Sequence, residues 1–97
     1  MAHLHFTWDA AKARANVAKD GIGFDEAETA FADDDAILVP DPEHSATEDR
    51  FILIGLSVVL RVLVVVHCEP DARGMIRLIS ARRATRSERS QYAARWK

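Results

Sequence analysis

Residues 50–68 read RFILIGLSVVLRVLVVVHC, two apolar runs rich in Ile, Leu and Val that are separated by a short segment around Ser57. Runs of that composition on either side of a short break form a β-hairpin, here with strands over 50–56 and 60–68. In the second strand Leu60, Val62, Val64, Val66 and Cys68 share one face, and Arg61, Leu63, Val65 and His67 share the other. This is the most apolar part of the chain. Arg61 interrupts it and Gly55 with Ser57 marks a turn, so it lacks the roughly 20 unbroken residues of a membrane helix.

Towards the C-terminus, residues 69–74 are a turn and Met75–Ala81 is a further strand. Strict alternation along it puts Arg77 and Arg83 on one parity, Ser80 and Arg82 on the other. Thr85-Arg86-Ser87-Glu88 is a capping box and starts a last helix near Arg86 that runs to about Trp96. Arg86 and Arg89 fall in its first turn, where the helix dipole disfavours cations, so an anion is expected to compensate there. Tyr92 and Trp96, four apart, are expected to pack into the core.

Towards the N-terminus, Asp9 is an N-cap for an alanine-rich helix over Ala10–Lys19, which Gly21 ends. Ala11, Ala15 and Ala18 form a low face suited to close packing on a sheet. Lys12, Asn16 and Lys19 lie on a neighbouring stripe and could address one ligand. Phe24–Phe31 is a second short helix with Ala27, Ala30 and Phe31 inward, followed by Asp33-Asp34-Asp35 as a solvated loop. Ile37–Val39 is a short strand before Pro40-Asp41-Pro42, and 43–49 is a polar loop. The fold class is therefore α+β: a small twisted antiparallel sheet with two N-terminal helices and one C-terminal helix.

With 97 residues, 48% hydrophobic and 29% charged, the chain is expected to be one folded domain over 1–97. Its net charge of −2 hides a split, since residues 1–71 carry a balance of −9 and residues 72–97 a balance of +7. Residues 20–49 hold 11 carboxylates and no Lys or Arg, while the last quarter is basic enough to attract a polyanion. Cys68 is the sole cysteine, which excludes an internal disulfide, and the first residues lack a basic-plus-apolar leader, so a cytoplasmic location is expected. His3 and His5 would share one side of a strand, but no spaced Cys, His or carboxylate set completes a metal site. Asp33, Asp34 and Asp35 are adjacent rather than spaced as in a calcium loop, and no metal or other cofactor is expected.

Two blocks of residues resemble the BrnT toxins of bacterial type II toxin–antitoxin pairs. The first is Phe6-Thr7-Trp8-Asp9 with Lys12, Asn16, Lys19, Gly21, Ile22, Phe24 and Ala27. The second is Arg77-Leu78-Ile79-Ser80-Ala81-Arg82-Arg83-Ala84-Thr85 with Glu88-Arg89 and Tyr92. The resemblance implies a RelE-like ribonuclease fold and cleavage of RNA with growth arrest. It also implies neutralisation by a ribbon-helix-helix antitoxin, BrnA-like, through which alone the complex reaches operator DNA. Two departures stand out: Lys19-Asp20-Gly21 where the family usually has Lys-His-Gly, and Ser57-Val58-Val59 where many members turn on Asp-Gly.

Metal-independent cleavage needs a base for the 2′-hydroxyl, cations for the dianionic phosphorane and an acid for the leaving 5′-oxygen. Arg82 and Arg83 are the first choices for the cations, because a guanidinium fork binds two phosphoryl oxygens while staying charged. On a continuing strand they point to opposite faces, so both reach one phosphate only if the strand has ended before them. Lys12, Lys19, Arg61, Arg77, Arg86 and Arg89 are candidates for positioning RNA. For proton transfer the candidates are His67, Glu88 and Tyr92, although Glu88 already has a structural explanation in the capping box. An alternative reading is a catalytically weak module that binds antitoxin within an autorepressor complex. Direct DNA recognition is weaker, as no helix-turn-helix pattern is present.

Overall fold

The sheet assembles around the hairpin in the order β1-β5-β4-β3-β2. The computed structural model describes residues 4–43 and 49–94. Its strands are β1 (His5–Thr7), β2 (Ile37–Pro40), β3 (Arg50–Leu56), β4 (Val62–Cys68) and β5 (Met75–Arg83). Its helices are α1 (Ala10–Asp20), α2 (Phe24–Thr29), which a 3-10 turn over Ala30–Ala32 extends, and α3 (Arg86–Ala94). The hairpin pairs Arg50 with Cys68 through to Leu56 with Val62. Its second strand starts at Val62, because Leu60 belongs to the turn with φ 66°. The expected helical end at Trp96 and the loop residues 44–48 lie outside the described residues.

The sheet is not wholly antiparallel, since β1 runs parallel to β5, with Phe6 opposite Ile76. Only three residues of β1 pair, so the rest of β5 has a free edge, and α1 covers it. Asn16 is the means. Its amide donates to the carbonyls of Ala81 and Ile22, both at 2.8 Å, and its Oδ1 accepts the Ala81 N–H at 3.0 Å. The side chain thus replaces a neighbouring strand at Ala81, and all three buried backbone groups are satisfied.

This clamp corrects two expectations about α1. The helix meets the sheet through Ala13 and Asn16, while Ala11, Ala15 and Ala18 are exposed. Asn16 is spent on backbone and so cannot join Lys12 and Lys19 in holding a ligand.

One face of the sheet packs on α1 and α2, with Leu63, Val65, Ile76, Leu78 and Ala81 against Ile22, Phe24 and Ala27. Gly55 lets the 3-10 turn approach β3, because a Cβ there would lie 2.9 Å from the Ala30 carbonyl oxygen. The other face carries Ile54, Val64 and Ala84 beneath Tyr92 of α3. Asp33 is not solvated, as expected above, but joins these layers. Its Oδ2 accepts the Leu56 N–H at 2.9 Å and the Tyr92 hydroxyl at 2.5 Å. Among the described residues no helix is long and apolar enough to cross a membrane.

Candidate RNA-binding and cleavage site

The register of β5 decides where its arginines point. Val66 lies opposite Ser80, but His67 lies opposite Leu78, so β5 carries one extra residue. Across this bulge the alternation of side chains shifts by one. Arg82, opposite Val64, therefore shares the α3 face with Arg77, whose guanidinium lies 3.4 Å from Cys68 Sγ. Arg83, opposite Leu63, faces the α1–α2 side. The expected pairing of Arg77 with Arg83 is thus overturned by a single inserted residue. Because β5 continues through Arg83, Arg82 and Arg83 do point to opposite faces.

Arg82 is held in a fork. Its Nη1 and Nη2 donate to the two oxygens of Glu88 at 2.8 and 2.9 Å. The capping box forms around the same carboxylate: Thr85 N–H donates to Glu88 Oε1 at 2.7 Å, and Glu88 N–H donates to Thr85 Oγ1 at 3.2 Å. The Arg82 fork, joined by the Thr85 donors, pulls the Glu88 carboxyl down to a pKa of about 2. Glu88 is therefore the anion that offsets the cations in the first turn of α3. A carboxylate so stabilised is a poor proton acceptor near neutral pH. Arg89 Nη1 donates to the Ala84 carbonyl at 2.9 Å, which secures it beside the same turn. Asp20 adds a further negative charge that favours the Arg82 cation.

Arg83 and Arg86 are exposed, and neither guanidinium has a hydrogen-bonded partner among the described residues. Lys12 and Lys19 are exposed as well, on the stripe of α1 that flanks Asn16. Arg82, Arg83, Arg86 and Arg89 thus stand together where β5 ends and α3 begins, with α1 held beside that end of β5 by Asn16.

The remaining candidates lie elsewhere. Arg61 is committed to Glu26, with Nε to Oε2 at 2.8 Å and Nη2 to Oε1 at 2.6 Å, and Ser57 Oγ donates to the same carboxylate at 2.7 Å. The Arg61 fork is the main reason that the Glu26 carboxyl lies below its usual range, and Arg83 contributes at longer distance. Sequence reading missed this pair, which joins residues 35 apart and leaves no local pattern. Arg77 sits at the opposite end of β5. His67 is 4% exposed, with Phe31 edge-on at 4.8 Å and Phe51 stacked at 6.3 Å. Burial pushes its pKa below the ordinary value, which keeps the ring neutral. Tyr92 is 8% exposed and its hydroxyl is given to Asp33. Neither His67 nor Tyr92 is open to a phosphodiester at the surface. Among the described residues no group of His, Cys, Asp and Glu could hold a metal ion.

Residues 8–88 match the model of a family described as the ribonuclease toxin, BrnT, of type II toxin–antitoxin systems. Among solved structures, the chain is similar to the Brucella abortus ribonuclease toxin BrnT, seen at 1.1 Å resolution. The two share 26% sequence identity and a TM-score of 0.67, over 87% of this chain and 100% of the other. No curated protein sequence matches it significantly.

Proposed function

Because the chain belongs to the BrnT family of ribonuclease toxins of type II toxin–antitoxin systems, we propose that it is a metal-independent endoribonuclease that arrests growth by cutting RNA. In this reading it is a RelE-like toxin forming one domain over 1–97, cytoplasmic, and silenced by a ribbon-helix-helix antitoxin that alone contacts operator DNA. The observation that carries the reading is the cation cluster at the end of β5. One guanidinium there, Arg82, is fixed by a bidentate carboxylate, while Arg83 and Arg86 remain available.

The chemistry asked of this cluster is charge stabilisation. The 2′-hydroxyl gives its proton to solvent as its oxygen bonds to the adjacent phosphorus, the P–O5′ bond breaks and the 5′-oxygen takes a proton from solvent, and the dianionic phosphorane between them needs cations in fixed positions. A single phosphate cannot sit on both faces of β5 at once. Arg82 with Arg86 and the start of α3 therefore engages one phosphate, and Arg83 with Lys19 engages its neighbour, as the strand crosses the end of the sheet. Lys12 extends the track along α1. Glu88 positions Arg82, whereas His67 and Tyr92 serve the core. Arg61 and Arg77 lie outside this track.

The second reading, a catalytically weak antitoxin-binding module, is favoured by one observation: none of His67, Glu88 and Tyr92 presents a titrating group to the cluster. Cleavage of a defined RNA in EDTA, with mapped product ends, decides between them. The nuclease reading expects 2′,3′-cyclic or 3′-phosphate ends that disappear in an Arg82→Ala, Arg83→Ala variant. Absence of cutting by the folded wild type, with and without ribosomes, supports the module instead.

A further inference from the structure

The β3–β4 turn places three consecutive apolar side chains in solvent: Val58 is 71% exposed, Val59 58% and Leu60 78%. A tip of this kind is normally polar, and the left-handed position of a three-residue hairpin loop normally holds glycine. Here Leu60 occupies it at φ 66°. The strain is not relieved by mobility, because the turn is pinned from several sides. Leu60 N–H donates to the Ser57 carbonyl and Ser57 N–H to the Arg61 carbonyl, both at 2.9 Å. Val58 N–H donates to Thr29 Oγ1 at 2.9 Å, and Ser57 Oγ to Glu26 at 2.7 Å. An apolar knob left this exposed, with one residue in a conformation unfavourable for it, gains little from the isolated fold.

Beside the knob lies an open groove of about 480 Å³, lined by Thr29, Ala32, Asp33, Leu56, Ser57 and Val58. The groove itself carries Asp33, and next in sequence to its lining residues Thr29 and Asp33 stand half-buried Glu28 and exposed Asp34, within a segment without a Lys or Arg. That charge repels RNA and anionic lipid. It suits a cationic polypeptide. Exposed apolar surface beside a charged rim is the composition of a protein-binding site, in which rigid apolar anchors supply affinity and the rim supplies selection and rate.

We propose that the Val58-Val59-Leu60 tip and the adjoining groove dock the antitoxin, through a segment of it that places apolar side chains against the tip and groove and Lys or Arg beside Glu28 and Asp34. This rests on the toxin reading for the existence of that partner. The surface belongs to the acidic half of the molecule, so antitoxin bound there leaves the arginine cluster to be covered by a different part of the same partner.

The test is calorimetric titration of the antitoxin into the wild type, Leu60→Gly, and a Glu28→Lys, Asp34→Lys double variant, with RNA cleavage by each free chain measured in parallel. Leu60→Gly suits the backbone of the turn, so a folding defect does not confuse the result. The expected outcome is a loss of affinity of about tenfold or more in both variants, with a weaker salt dependence in the second and unchanged cleavage in both. Affinities within about twofold of wild type in both variants overturn the proposal. So does self-association of the free chain that Leu60→Gly abolishes, since the tip would then serve a second copy. A wild type that binds antitoxin in this pattern but cuts no RNA leaves the docking surface standing and removes the nuclease reading.

Discussion

Replacing Glu88 by Gln removes one charge and keeps the shape, so it isolates what the carboxylate does for Arg82 and for the start of α3. In the folded chain that carboxyl titrates at about 2 rather than at its ordinary 4.5, chiefly because Arg82 grips it. At about 1.4 kcal/mol per unit, a depression of that size sets a ceiling of roughly 3 kcal/mol on the stabilisation. The side chains of Arg82 and Glu88 keep 45% and 23% of their exposure, so solvent screening reduces the expected value to about 1–2 kcal/mol. The sign follows from linkage. A carboxyl whose folded pKa is depressed contributes fully above its unfolded pKa, and the contribution is lost as pH falls from there through the folded pKa. Urea unfolding of wild type and Glu88→Gln should therefore differ by about 1–2 kcal/mol near pH 7, and the difference should close between about pH 4.5 and pH 2. A difference that stays constant over this range, or that is absent near neutrality, refutes the assignment. The same variant should lower RNA cleavage through a freed Arg82, while the wild-type pH–rate profile should show no ascending limb near the ordinary carboxylate pKa.

Asn16→Leu leaves the Ala81 and Ile22 backbone groups buried without partners and should cost about 2–4 kcal/mol in denaturant unfolding, with a similar loss for Asn16→Ala. His67→Phe keeps the aromatic packing and removes a ring that burial holds neutral. Wild-type stability should fall as pH drops below about 6.5 towards the depressed folded pKa, and the variant should lack that slope while cutting RNA as before. Asp20→Asn removes a negative charge that acts on Arg82 and should tighten RNA binding, most visibly at low salt in a filter or anisotropy titration. Leu60→Gly relaxes the left-handed turn and should raise stability by up to about 1 kcal/mol, read as an upward shift in Tm.

What the residues disclosed on their own was the local part of the structure. The hairpin over 50–68 follows from composition, and the capping box at Thr85–Glu88 forms as its spacing requires. What they concealed depends on pairing between distant segments. A bulge in β5 has no signature in Leu78-Ile79-Ser80-Ala81, yet it moves Arg77 to the face of Arg82. Asn16 looks like a surface residue of an alanine-rich helix until the free edge of β5 is placed against it, 65 residues away in the chain. Asp33 reads as one of three solvated carboxylates, but only the arrival of β3 and α3 shows that it bonds to Leu56 and Tyr92. The arginines were legible by type and position, but the engagement of Arg61 by Glu26 was not, because its partner is remote in the chain.

The charge split along the chain has a structural counterpart that bears on how one small fold serves two partners. Had the acidic segment simply neutralised the basic one, its carboxylates would be spent on the arginines at the end of β5. Instead, Glu26 is consumed by Arg61, and Arg82 is met by Glu88 from its own helix. Arg83 and Arg86 are left exposed at one end of β5, while Asp25 and Asp34 are left exposed on the α2 side. Local pairing of this kind lets opposite signs persist on separate surfaces at the cost of a little mutual attraction, which in water falls off over about 10 Å at ordinary ionic strength. A polyanion and a cationic polypeptide are then attracted to different places. Raising salt should weaken both associations, but charge reversal at Glu28 and Asp34 should affect only the second, and that separation distinguishes two working faces from a single patch read twice.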